Sequence, residues 1–285
     1  MRDISFEDIA ALVERLCIKA NTILSPELGV LLECSAEDER CPAAKSALED
    51  IVANFKLAAQ DGLPICQDTG MAVVFAEVGQ EAHITGGLFE DAVNEGVRRG
   101  YVNGCLRKSV VKDPLRRENT NDNTPAVLHL RLVEGDGIKI TVAPKGFGSE
   151  NMSAVRMFLP SNTAEDIEDF IVETVRAAGA RPCPPVILGV GLGGTLEQAA
   201  LTAKAAMLRP VDTHNPDPFY AEMEKRALYR VNRLDIGAQG FGGKHTALAV
   251  NIDAKPTHIA GLPCVVNMSC HVTRHATGKL QKNDN

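Results

Sequence analysis

Cys66, Cys183 and Cys270 are the residues whose type and surroundings could best do chemistry. They lie in Pro64-Ile65-Cys66-Gln67-Asp68-Thr69-Gly70, Arg181-Pro182-Cys183-Pro184-Pro185 and Asn267-Met268-Ser269-Cys270-His271. None falls in a helical or strand pattern, and prolines flank the first two. Three thiolates held in loops can grip an iron–sulfur cluster and leave one iron without a protein ligand. Such an iron is a Lewis acid able to hold a substrate oxygen. No Cys-x-x-Cys occurs, which disfavours a zinc ribbon or a ferredoxin-type loop. Taken singly, each of the three also suits the ordinary role of a free cysteine, a small buried hydrophobe. That role is expected for Cys17, Cys34 and Cys105, which follow helical patterns, and for Cys264 in an apolar run. Cys41, just before Pro42, has no assigned role.

Other groups could serve the same chemistry. Arg107-Lys108-Ser109 and Arg116-Arg117 are short basic patches, and an arginine fork is the usual partner of a carboxylate. Lys145-Gly-Phe-Gly148-Ser-Glu-Asn151 could offer exposed amides to an anion, or be a surface turn. His258 and His271 flank Cys270 in sequence. Gly189-Val-Gly-Leu-Gly-Gly-Thr195 departs from the Gly-x-Gly-x-x-Gly spacing of a dinucleotide loop and has no following acidic partner. A tight strand-to-helix turn is the better reading, and nucleotide binding stands as an alternative.

The elements that must position these groups are partly periodic. Residues 5–20 predict an amphipathic helix capped by Ser5, with Ile9, Leu12, Val13 and Leu16 as its stripe. Residues 35–59 predict a single second helix, and 89–103, 163–178, 195–207 and 216–234 predict others. Residues 71–78 and 186–190 read as strands, as do 246–252, 258–262 and 264–267. Residues 127–133 and 138–142 alternate around Glu134-Gly-Asp-Gly137, which predicts a hairpin. No strict βαβ rhythm runs through the chain. The expectation is an α+β fold, mixed helices and short strands in one compact domain over 1–278, with a tail at 279–285.

Composition narrows the function classes. The 285 residues are 45% hydrophobic and 24% charged, with a formal net charge of -7. Neither nucleic acid nor an anionic membrane gains bulk electrostatic support, so an anionic substrate must be met by local cations. No transmembrane run or leader peptide is read, and the expectation is a cytoplasmic protein whose eight cysteines are thiols or ligands.

Jointly these segments resemble one family, the iron–sulfur hydro-lyases of the class I fumarase and L(+)-tartrate dehydratase type. The motifs, in order, are Ile65-Cys66-Gln67-Asp68-Thr69-Gly70, Leu106-Arg107-Lys108-Ser109-Val110, Asn119-Thr-Asn-Asp-Asn-Thr-Pro125, Lys145 to Met152, Cys183-Pro-Pro, Gly189 to Thr195 and Asn267 to His271. The chain looks most like the α subunit of a two-subunit class I fumarate hydratase. The resemblance implies a [4Fe-4S] cluster on Cys66, Cys183 and Cys270. It implies substrate contacts from Gln67, Arg107 and Gly148, and catalytic roles for Asp68 and His258. The implied activity is the oxygen-sensitive dehydration of malate to fumarate, a tricarboxylic acid cycle step, in a cytoplasmic α2β2 heterotetramer. In this family the proton-abstracting threonine belongs to a second, C-terminal segment, so a β subunit is expected to complete the site. Tartrate dehydratase is the alternative activity. That type tends to carry Cys-Trp-Ala-His at the last ligand, and this chain has no Trp. A reading from another class is an electron-transfer or sensing iron–sulfur module.

Overall fold

The computed structural model of the chain describes residues 2–281. In chain order the elements are β1 (Arg2–Ser5), α1 (Phe6–Thr22), α2 (Pro26–Asp38), α3 (Pro42–Asp61), β2 (Met71–Gly79), β3 (Ala82–Thr85) and α4 (Phe89–Asn103). Then come β4 (Val127–Val133), β5 (Ile138–Lys145), α5 (Phe147–Glu150), β6 (Ala154–Phe158), α6 (Ala164–Ala178) and β7 (Val186–Gly193). The last are α7 (Leu196–Ala206), α8 (Pro218–Asn232), β8 (Ala247–Lys255), β9 (Leu262–Ser269) and β10 (Ala276–Leu280). Helices and mixed sheets together make the fold α+β. The chain divides into two compact units, 2–24 with 57–147 and 274–281, and 25–56 with 148–273.

The first unit rests on a four-stranded sheet in the order β10-β5-β2-β4. Ser5 caps α1 by accepting the Asp8 N–H, and Glu7 and Asp8 complement the positive end of the helix. The α1 stripe Ile9, Leu12, Val13 and Leu16 shares a core with Ala72, Val74 and Ala76 of β2 and Ile138, Ile140 and Val142 of β5. Helix α4 closes on α1 through two glycines. A Cβ on Gly96 would stand 2.6 Å from the Ala10 carbonyl oxygen, and one on Gly100 would stand 2.7 Å from Cys17 Cβ. Strand β10 takes in Lys279 and Leu280, two residues into the expected tail, whose residues 282–285 lie outside those described.

The expected hairpin does not form. Strand β2 lies between β4 and β5, parallel to the first and antiparallel to the second. Its buried Ala72, Val74, Ala76 and Val78 favour the centre of the sheet, where both edges are paired. Residues 134–137 wrap around its end, with the Gly79 N–H donating to the Gly137 oxygen and the Gln80 N–H to the Val133 oxygen, both at 2.8 Å. Four residues can bridge two strand spacings of about 4.8 Å each.

The second unit is a four-stranded sheet in the order β6-β9-β7-β8. Every residue of β7 is buried. Helix α7 packs against β7 at Gly189 and Gly191, where a Cβ would lie 2.0 Å from the carbonyl oxygens of Ala203 and Ala199. Helices α6 and α8 cover the core with Phe170, Ile171, Met223 and Val231. Residues 35–59 form two helices, not one. Pro42 lacks the N–H needed to continue α2, and the Glu39 carboxylate accepts the N–H groups of Arg40 and Cys41 at the break. Residues 258–261 form a turn rather than a strand, since the N–H groups of Ala260 and Gly261 bond back to His258.

Candidate active site

In the first unit, the loop from Cys66 to Gly70 is tied down at Asp68, Thr69 and Gly70. The Tyr101 hydroxyl, fully buried, donates to the Thr69 oxygen at 2.7 Å. Asn123 donates to the Gly70 oxygen at 3.1 Å while its own oxygen accepts the N–H groups of Ser109 and Val110. Thr69 Oγ1 donates to the Arg107 oxygen at 3.1 Å, so one network fixes the backbones of the Cys66 loop and of Arg107. Gly70, at φ 73°, sits where a Cβ would meet the Lys145 backbone at 2.7 Å. Asp68 Oδ1 accepts the Gly70 N–H and Oδ2 the Phe147 N–H, each at 3.0 Å. Arg274 donates from Nη2 to the Asp68 main-chain oxygen. Cys66 and Asp68 are half-buried, and Gln67 and Arg107 are exposed. The Arg107 guanidinium makes no ion pair or hydrogen bond among the described residues.

In the second unit, the loops of Cys183 and Cys270 meet. Cys183, exposed and at φ 57°, offers its carbonyl to the His271 N–H at 3.3 Å, and His271 Nδ1 lies 3.0 Å from the same oxygen. Gln239 donates to the Pro184 oxygen twice, from its backbone N–H at 2.8 Å and from Nε2 at 2.7 Å. The half-buried Cys270 has its carbonyl capped by Thr273 Oγ1 at 2.9 Å. His258 is exposed, and its Nδ1 accepts the Ala260 N–H at 3.1 Å. That bond leaves the ring proton on Nε2 in the neutral form. Thr257 beside it donates to the Gly194 oxygen, so the glycine turn after β7 supports the His258 turn. Gly193, at φ 78°, would bring a Cβ within 2.1 Å of the Lys255 oxygen. The glycine run is therefore built for backbone approach, as a tight strand-to-helix turn. Gly148 is exposed, with the nearest neighbour of a Cβ 3.9 Å away.

The remaining cysteines differ in kind. Cys17 and Cys264 are fully buried, and burial pushes both thiols up, Cys264 to about 12. Cys34 and Cys105 are exposed, contrary to the buried role expected from their patterns. Cys34 sits on the outer face of α2, and Cys105 follows the end of α4 at φ 51°. Cys41 Sγ lies 3.5 Å from the Phe241 oxygen. The loop thiols Cys66, Cys183 and Cys270 lie outside both hydrophobic cores, and as soft sulfur donors on turn backbone they fit an iron–sulfur group. Among the described residues no group of three or more His, Cys, Asp and Glu is gathered as a metal cage. The structure joins Cys183 to Cys270 through His271, and Cys66 to Asp68 and Arg107 through Thr69 and Gly70.

Sequence reasoning passed over Tyr101, Gln239 and Arg274, and quoted Asn123 without giving it a role. Gln239 stands in the glycine-dense run 237–243, and Arg274 follows Cys270 by four residues. Those were the available signals.

The fumarate hydratase (Fumerase) family model matches residues 10–279. A putative L(+)-tartrate dehydratase subunit alpha of Methanocaldococcus jannaschii is 36% identical over 279 residues, covering 96% of this chain and 98% of that protein. The L(+)-tartrate dehydratase subunit alpha of Escherichia coli strain K12 is 30% identical over 227 residues, covering 79% of this chain and 75% of its own length. That of Shigella sonnei is similar to the same extent. On this match over nearly its whole length, the chain belongs to the fumarate hydratase (Fumerase) family.

Proposed function

We propose that this chain is a hydro-lyase of the α-subunit type that interconverts malate and fumarate, with Cys66, Cys183 and Cys270 as thiolate ligands of a [4Fe-4S] cluster. The observation that carries the proposal is the way side-chain hydrogen bonds converge on main-chain carbonyls of the three cysteine loops and of Arg107. When bound, such a cluster supplies a Lewis-acidic iron that polarises the C–O bond of the substrate hydroxyl.

The chain's own residues bind and orient. The exposed guanidinium of Arg107, set on a fixed backbone, can take a substrate carboxylate in a bidentate pair. Gln67 offers an amide donor beside Cys66, and the Gly148 backbone N–H can be approached without a side chain in the way. Each Asp68 oxygen accepts one backbone N–H and keeps a lone pair for a hydroxyl or water at the reacting end of the substrate. His258 acts as a hydrogen-bond donor through Nε2–H, because its Nδ1 is already an acceptor. The base that takes the carbon-bound proton is assigned to a β subunit, in an α2β2 assembly. Eight free thiols suit a reducing compartment, the cytoplasm. No helix among the described residues is long and apolar enough to cross a membrane.

The names of the relatives favour a second reading, an L(+)-tartrate dehydratase α subunit. The test is anaerobic co-expression with the β partner, followed by parallel assays with malate and L(+)-tartrate. Faster turnover of malate, lost on exposure to air, is expected. Turnover of tartrate alone would move the assignment to the second reading, and activity independent of iron would sink both.

A further inference from the structure

Arg274 is the one arginine that is buried among the described residues, at 6% exposure. Three of the four arginines that lie partly buried among the described residues face carboxylates, Arg2 being the exception. Arg99 meets Glu7 and Glu95, Arg209 meets Glu224 and Asp253, and Arg230 meets Glu168 and Asp169. Arg274 faces none. Its Nη2 donates to the main-chain oxygen of Asp68, while Nε and Nη1 are closed to solvent and have no acceptor. The Asp68 carboxylate is turned to the N–H groups of Gly70 and Phe147 instead. A guanidinium that is buried without a counter-charge is costly, and replacing such a charge by an apolar side chain usually costs nothing. Its retention behind the Cys66 loop calls for a benefit elsewhere. The loop supplies one: it carries a thiol beside a carboxylate, in a site that would receive further negative charge.

We propose that Arg274 is a positioning residue that anchors the Cys66–Gly70 loop through Asp68 and balances the negative charge that the loop accumulates when thiolate-bound iron–sulfur and a dicarboxylate are in place. The second half of this statement rests on the function proposed above. Arg274 acts through the loop and through space, since its two unpartnered nitrogens are sealed from any ligand. Charge neutralisation of this kind is stronger in a low-dielectric interior than at a surface.

The test compares Arg274→Met with Arg274→Lys. In the cluster-free full chain, Met removes the unbalanced charge at similar length, so Tm should equal or exceed that of the wild type. A merely structural arginine would give a lower Tm, and that result overturns the proposal. In the complex with the β partner, reconstituted anaerobically, a redox titration followed by EPR should find the Arg274→Met cluster shifted to more negative potential, with Arg274→Lys near the wild type. Equal shifts in both variants, or none in either, overturn the charge role. Loss of iron from the Met variant with retention by the Lys variant supports it, and loss from both overturns it. If the wild-type complex takes up no cluster, the proposed function fails, and the Tm comparison still decides whether Arg274 is an unbalanced charge.

Discussion

Arg107 owes its place to main-chain bonding. Thr69 holds its carbonyl, Asn123 holds the two amides of Ser109 and Val110, and the guanidinium is left to solvent. Arg107→Lys keeps the charge but loses the second parallel hydrogen bond to a carboxylate, worth about 1.5 kcal/mol. The KM for malate should therefore rise about tenfold, with kcat far less affected. Steady-state kinetics on the assembled enzyme check this, and an unchanged KM removes Arg107 from the site. The cysteines allow a sharper contrast than their patterns alone suggest. Cys183→Ser should abolish iron retention and leave the melting of the apo chain nearly unchanged, since the side chain is exposed. Cys17→Ser should retain iron but lose about 1 kcal/mol of stability, because a hydroxyl enters the packed contact with Gly100. Iron content and urea melts on both variants are the measurement, and the same loss from each would show that the two thiols are not different in kind. Cys66, Cys183 and Cys270 were legible because prolines and polar neighbours set them apart. Gln239 and Arg274 were not, because their roles rest on carbonyls contributed by residues 55 and 206 positions away. Nothing in local spacing records such a bond.

At the scale of elements, glycine does two opposite jobs in the motifs. Gly191 lets α7 close on β7, and a Cβ there would stand 2.0 Å from the Ala199 oxygen, a contact that only backbone movement can relieve. Gly191→Ala should cost about 3 kcal/mol or more, read as a fall in the urea midpoint. Gly148 faces open space, so Gly148→Ala should stay within about 0.5 kcal/mol of wild type in the same experiment. If the Gly148 amide meets the substrate, the added methyl group should still raise KM. A Gly148→Ala enzyme with wild-type KM would exclude it from the site. The helices capped by Ser5 and Thr163 were readable because a side-chain acceptor and an apolar stripe coincide in sequence. The pairing of strands was not. The segment Glu134-Gly-Asp-Gly137 looks the same whether its flanking strands are neighbours or are parted by β2, and only the burial of β2 decides. The break at Glu39 was missed for a related reason, since the carboxylate that seals it also accepts the Lys244 N–H, far along the chain.

Across the whole molecule, charge sets different acid limits for the two units. In the first, Glu95 is held down at about 2 by its hydrogen bonds to Arg98 and Arg99, working against partial burial. A carboxylate depressed on folding contributes its full stability above its unfolded value near 4.3, and loses it as pH falls towards 2. Glu95 is half-buried but its partner Arg98 is exposed, so solvent screening limits this contribution. In the second unit His245 is also held down, but by burial rather than by opposite charge. Burial lowers its pKa below the usual 6.5 although Glu39 and Asp38 draw it up, with Lys244 beside it also opposing protonation. The folded unit binds this proton less readily than the unfolded chain. Its contribution is therefore complete above about pH 6.5 and lost as pH falls below it. The second unit should begin to lose stability at a higher pH than the first. Hydrogen exchange at pH 7.5, 6.0 and 5.0 should show protection falling early around β8 and the 235–246 loop, while the amides of α1 and α4 hold. His245→Gln, which cannot take up the proton, should remove the early fall and leave the later one. Equal loss in the two units, or an early fall that survives in His245→Gln, would show that His245 does not set the limit.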